Sequence, residues 1–283
     1  MALKDLLVTI DASDAGNARM GLAIRLARRH RARLVGYYVT PTVGSYELPP
    51  ATPLGGVPGL GPLPAPDSEH AGDVAEIMEQ RFSDDVRHNG LEGTWILSSD
   101  DAVKDLSAQL RVCDLAILGQ VDPDRPLRDQ GGFQPEDVIL HAGRPALVVP
   151  YIGGTETIGT RVRIGWDGSR QASRALHDAL SLIEPAAGVT VLSIAEDSSA
   201  SAAVPSADMA AAHLRRHGVA AKAEHVPRLD QETADIILSR AADMAADLIV
   251  AGAYGHSRLR ESLLGGTSRG MFKRMTAPVL MSH

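Results

Sequence analysis

Short apolar runs alternate along the chain with longer stretches whose apolar residues recur every three or four positions. Residues 6–10, 33–39, 93–97, 115–119 and 146–149 read as buried strands, and 15–30, 70–89 and 102–112 as amphipathic helices. Gly90 stands as the C-cap of the second helix. The later part repeats the alternation. Strands are predicted over 162–166, 189–194, 220–226, 248–252 and 279–282, and helices over 172–183, 206–217, 232–245 and 269–275. Strands that alternate with helices predict parallel pairing, right-handed crossovers and helices on both faces of a sheet.

The two series are copies of one unit. Leu6-Leu7-Val8-Thr9-Ile10-Asp11-Ala12-Ser13 recurs as Arg163-Ile164-Gly165-Trp166-Asp167-Gly168-Ser169, and Asp114-Leu115-Ala116-Ile117-Leu118-Gly119 recurs as Asp247-Leu248-Ile249-Val250-Ala251-Gly252. The chain therefore reads as a tandem duplication. Residues 1–150 form the first domain, 151–160 a polar, glycine-bearing linker and 161–283 the second domain. The first copy is longer, and its excess falls in residues 41–66, where proline and glycine alternate with small residues. Such a run holds neither a regular helix nor a central strand, so a loop or disordered excursion is expected. A plain loop and a lid are both open.

Composition narrows the class. A chain of 283 residues has room for two cores, and 44% hydrophobic with 22% charged residues is a soluble globular balance. No apolar run approaches a membrane span, and Lys4 and Asp5 interrupt the start before a signal core forms, so no membrane role and a cytoplasmic location are expected. Cys113 is the one cysteine; it excludes an intramolecular disulfide framework and reads as a small core residue. A net charge of -7 opposes general nucleic-acid binding.

The candidate chemistry lies at Gly252-Ala253-Tyr254-Gly255, followed nine residues later by Gly265-Gly266-Thr267-Ser268. Preceded by a strand and followed by a helix, these glycines sit at a turn that another molecule can approach closely. Unpaired amides at the helix start, from Gly266 to Ser268, point outward with the positive end of the helix dipole behind them. That arrangement suits a phosphate. The hydroxyls of Thr267 and Ser268 either add hydrogen bonds or serve only as N-caps.

These residues resemble the C-terminal signature of the universal stress protein family. Its ATP-binding members carry Gly, two residues, Gly, nine residues, then Gly and Ser or Thr. The match is at Gly252, Gly255 and Gly265, with Gly266 where the hydroxyl residue usually stands. With the duplication, the resemblance covers nearly the whole chain as a tandem member. It implies an α/β fold of two tandem doubly wound parallel five-stranded sheet domains, Rossmann-like and adenine nucleotide alpha hydrolase-like. The ligand would sit at the carboxyl ends of the strands. On that analogy Asp167, with Gly168 and Ser169, lies near adenine and ribose, and Ile194 offers backbone contacts to the base. Read without the analogy, Asp167-Gly168-Ser169 is a turn and helix cap. The implied ligand is ATP or AMP, with Mg2+ as an optional companion. The resemblance also implies that the two domains pack through their last strands as an intrachain pseudo-dimer, with homodimerisation open.

The first copy serves as an internal control. It keeps Asp11 and Ser13, but Gln120, Val121 and Asp122 follow Gly119. Counted from the shared end, Pro135 and Glu136 fall opposite Thr267 and Ser268. Glu136 and Asp137 would then set carboxylates where phosphate oxygens lie, and Pro135 removes a donor. Gly131-Gly132 supplies an alternative loop. One competent site in the second copy and a degenerate one in the first are expected.

His256, Arg258 and Arg260 adjoin the turn as phosphate contacts or as solvated loop residues. His213 and His217 have helical i, i+4 spacing without an evident third ligand, and read as helix surface. No P-loop, zinc-protease or nucleophile-elbow motif occurs. No catalytic residue or metal ligand set is assigned. The leading expectation is an adenine-nucleotide-binding stress-response regulator. A slow ATPase of the same fold and an interaction module without nucleotide stand beside it.

Overall fold

A computed structural model describes residues 2–40, 68–98, 101–153, 156–185, 187–195, 205–228, 230–253 and 266–283. The Pro/Gly-rich stretch 41–66 lies outside the described residues. In the first half the order is β1 (Asp5–Ile10), α1 (Asp14–His30), β2 (Arg33–Val39), α2 (Ser68–His88), β3 (Gly93–Ser98), α3 (Ala102–Leu110), β4 (Leu115–Gly119), α4 (Pro135–Ala142) and β5 (Ala146–Val149). The second half has β6 (Arg161–Gly165), α5 (Arg170–Ala179), β7 (Gly188–Ala195), α6 (Ala207–Arg216), β8 (Ala220–Pro227), α7 (Thr233–Asp243), β9 (Leu248–Gly252), α8 (Gly266–Arg274) and β10 (Val279–Ser282).

All ten strands join one sheet in the order β3-β2-β1-β4-β5-β10-β9-β6-β7-β8. The second half of that order is the first run backwards. Every pairing is parallel except β5 with β10, where Val279, Leu280 and Met281 lie antiparallel to Val148, Leu147 and Ala146. Alternate residues on the strands feed opposite faces, as the pleat requires. Leu6, Val8, Ile164 and Leu280 meet α1, α5 and α6 on one face; Leu7, Ala116, Ile249 and Met281 meet α3, α4, α7 and α8 on the other. Each apolar layer runs through both halves. Across the joint, Arg29 on α1 donates to the Leu182 carbonyl at 2.9 Å and lies 3.6 Å from Glu184.

Several predicted bounds move. The helix expected over 172–183 is α5, which ends at Ala179, and that over 102–112 is α3, which ends at Leu110. Helix α4 and a 3-10 turn at Leu127–Gln130 were not anticipated. Pro135 stands in the first turn of α4, where its missing amide costs no intrahelical bond. Gly90 takes a φ of 64°, as its capping role requires. Cys113 is buried, and burial raises its thiol to about 11. Among the described residues no helix is long and apolar enough to cross a membrane.

Candidate functional site

The carboxyl ends of β6 and β9 lie together because these strands are neighbours at the centre of their half of the sheet. Asp167 leaves β6 there and is exposed, and its Oδ1 accepts from the Ser169 amide at 2.9 Å. Gly168 turns the chain with a φ of 73°. Ser169 is the N-cap of α5, its Oγ accepting from the Ala172 amide at 3.1 Å. The capping reading of this triplet is therefore satisfied. Ile194, paired with Val226 near the end of β7, is half-buried against the second apolar layer.

Gly252 closes β9, with the first turn of α5 resting against it. A Cβ there would lie 2.6 Å from the Gln171 carbonyl carbon. That close approach is the structural reason for glycine at this position. Helix α8 runs from Gly266 to Arg274, so Thr267 and Ser268 lie inside its first turn and are not its N-caps. Their amides belong to the turn that has no intrahelical acceptor. Thr267 is exposed and Ser268 is buried. Gly255, His256, Arg258, Arg260 and Gly265 lie outside the described residues.

The first copy builds the same strand ends differently. Arg19 on α1 is 4% exposed. It donates from Nε to the Thr9 carbonyl at 2.8 Å and from Nη2 to Asp11 Oδ2 at 2.6 Å. Its guanidinium lies over Gly119, in the space a Cβ would take. Arg125 stands 3.8 Å from the other Asp11 oxygen. Burial alone would raise the Asp11 carboxyl; Arg19 and hydrogen bonds from Ser13 overcome this and hold it below the ordinary carboxylate value. Between Asp11, Arg19, Gly119, Gln120 and Arg125 about 20 Å³ remains, room for a water molecule and not for a nucleotide.

The expected obstruction of this copy by Glu136 and Asp137 is thus corrected. Glu136 does not line the cavity; its side chain is buried, burial raises its carboxyl, and the nearby charges of Arg269 and Lys273 on α8 oppose that rise. Sequence reasoning missed Arg19, and a signal existed. It lies on the apolar stripe of α1 with Leu22, Ala23 and Leu26, all buried, where a charge must find a partner. Counted from each aspartate, Ala175 falls at the position of Arg19, so α5 supplies no guanidinium from that position.

His213 and His217 gain a third neighbour. The His177 ring lies 5.0 Å from that of His213, which lies 4.6 Å from that of His217. The rings pack on one another, and among the described residues no group of three ligand side chains could hold a metal ion. His213 Nε2 is buried without a partner.

Residues 160–283 match the family model described as the universal stress protein family. A universal stress protein of Synechocystis sp. is 26% identical, with 98% of this chain and 99% of that protein covered. Among solved structures, a universal stress protein from Archaeoglobus fulgidus superimposes with a TM-score of 0.72 at 16% identity, covering 98% of this chain and 95% of its own. A functionally unknown protein from Pseudomonas aeruginosa superimposes at 0.61 and 16% identity, covering 99% and 92%.

Proposed function

We propose, from the premise that this chain belongs to the universal stress protein family through residues 160–283, that its second half binds an adenine nucleotide, ATP or AMP. The observation that carries the reading is the contrast between the two strand-end crevices. The first is filled from within by Arg19 bound to Asp11, whereas Asp167 is exposed and alanine takes the place of the arginine. Arg19 leaves no room for a nucleotide in the first crevice, and the short side chain of Ala175 does not fill the second in that way.

In this reading Asp167 meets the ribose and base, with Gly168 and Ser169 shaping the turn and the Ile194 backbone meeting adenine. Gly252, Gly255, His256 and Gly265 join the contacts to the nucleotide, and the first amides of α8, Gly266 to Ser268, take the phosphates. Mg2+ would accompany a triphosphate. The two halves act as an intrachain pseudo-dimer with a degenerate first site. Because a ligand that binds only the folded state stabilises it in proportion to occupancy, the protein works as a nucleotide-responsive regulator of stress physiology.

Calorimetric titration with ATP, AMP and GTP, with magnesium present, tests this on wild type and on Thr267→Glu. The exposed glutamate suits a helix start and leaves folding intact, yet it opposes a phosphate by about 1–2 kcal/mol, or roughly tenfold in affinity. Adenine-selective binding at one site per chain, weakened by the substitution, is expected. Absence of saturable binding at millimolar nucleotide would overturn the proposal in favour of an interaction module. Multiple-turnover release of ADP would convert it into a slow ATPase.

A further inference from the structure

We infer that Gln120, at the end of β4 in the first half, is a positioning residue for α8, so that the first half holds the helix whose amides form the proposed phosphate site. This rests on the nucleotide reading above. The last carbonyls of any helix lack intrahelical donors. In α8 the Met271 carbonyl accepts from the Met275 amide at 2.8 Å. The Phe272 carbonyl accepts from Gln120 Nε2 at 2.7 Å, and that bond is buried. The cap of α8 therefore comes from the other half of the chain.

Gln120 is held for this task. Its backbone amide donates to the Val149 carbonyl at 2.8 Å, its Oε1 accepts from the Tyr151 amide at 3.2 Å, and the residue is 5% exposed. With Tyr151 offering a donor on one side and Phe272 an acceptor on the other, one orientation of the amide satisfies both. Helix α8 has nine residues, roughly 13 Å of stiff rod, with Met271 and Phe272 buried at the capped end. Displacement of that end tilts Gly266 to Ser268 at the other.

The opposite helix supplies a mirror. At the end of α4 the Gly143 carbonyl accepts from Arg174 on α5, so each short helix is capped by the other half. The chemistry differs, however. In the second copy Ala253 occupies the position of Gln120, and an alanine offers no such bond. Only α8 carries the proposed phosphate site, so removal of the two caps should have different consequences for the ligand.

The experiment compares wild type, Gln120→Met and Arg174→Ala as full-length chains, by ATP titration with magnesium and by hydrogen exchange of the α8 amides without nucleotide. Gln120→Met keeps the volume and removes both bonds. It is expected to weaken ATP about fivefold to tenfold and to speed α8 exchange, while Arg174→Ala leaves ATP affinity unchanged. Should the methionine variant fail to fold, Gln120→Asn, too short to reach Phe272, is expected to give the same losses. Wild-type affinity in the Gln120 variants would overturn the inference, as would an equal loss in Arg174→Ala, which would mark general loosening. If wild type binds no ATP, the nucleotide reading fails by itself, and α8 exchange unchanged by the Gln120 substitution separately overturns the capping.

Discussion

Replacing Arg19 by alanine removes the internal occupant of the first crevice. Arg19 is buried and Asp11 largely so, with side chains 5% and 12% exposed. Removing one partner of a buried pair costs about 3–5 kcal/mol, because the other charge stays desolvated. Part of that is recovered here: Arg125 lies 3.8 Å from Asp11, the Ser13 amide still donates at 2.8 Å, and the vacated space admits water. A loss of about 2–4 kcal/mol is expected from urea denaturation near neutral pH.

The pH dependence gives that number a sign. In wild type the Asp11 carboxyl is held below 3.8, so its contribution is full above that value and is lost as pH falls through the depressed pKa. Without Arg19 the burial of Asp11 is opposed only by Ser13 and Arg125, and the folded-state carboxyl rises from its depressed value. The variant then suffers most at neutral pH, and its penalty shrinks on acidification as the carboxyl takes a proton. A double-mutant cycle with Asp11→Asn should return a coupling of at least about 1 kcal/mol. A cost under about 1 kcal/mol at neutral pH, a penalty that grows on acidification, or zero coupling would refute the plug.

Gly252→Ala drives a Cβ into the α5 backbone and should cost about 2–3 kcal/mol by denaturation. Gly119→Ala meets only the Arg19 guanidinium, so it should cost no more than Arg19→Ala and should not add to it in the double variant. His213 has its pKa lowered from 6.5 by burial, then by the neighbouring His217, His177 and Arg216. The unfolded chain therefore takes that proton first, and stability should decline as pH drops below about 6.5 until the folded imidazole is charged. His213→Leu should flatten that segment of a plot of Tm against pH; an unchanged slope would assign it to other groups.

The strands were legible because their apolar runs are fully buried in a parallel sheet, and 115–119, 146–149, 248–252 and 279–282 match β4, β5, β9 and β10 to the residue. Helix ends were less legible. Leu180, Leu182 and Ile183 continue the apolar period of α5 but serve the joint between the halves, where period alone does not distinguish helix from packed turn. The turn at Asp167-Gly168-Ser169 was legible because an acceptor, a positive φ and a hydroxyl cap are local chemistry. The partners of Arg19 and Gln120 were not, although the place of Arg19 on the apolar stripe of α1 signals that it needs one. Each acts through a partner distant in sequence or on another element, Asp11 across the strand-to-helix turn and Phe272 in the other half, and pairings of that kind exist only once the sheet is assembled.

The joint itself decides what a half-chain would do. Strand β10 has four residues, none more than 1% exposed, and its outer edge is covered by β5 through three register pairs. Residues 160–283 alone would leave that edge bare, with unpaired amides and carbonyls beside Val279, Leu280 and Met281. The antiparallel relation between β5 and β10 is the one a second β10 can reproduce about a twofold axis, since each strand edge then meets its own copy. The isolated second half is expected to dimerise, seen as twice the monomer mass by light scattering at micromolar concentration. Val279→Pro removes a donor from that edge and should shift the mass toward monomer. A half-chain that stays monomeric and fully folded would mean that the first half is not needed to cover β10. Its remaining contributions to the second would then include the bond from Arg29 to the Leu182 carbonyl and the cap that Gln120 places on α8.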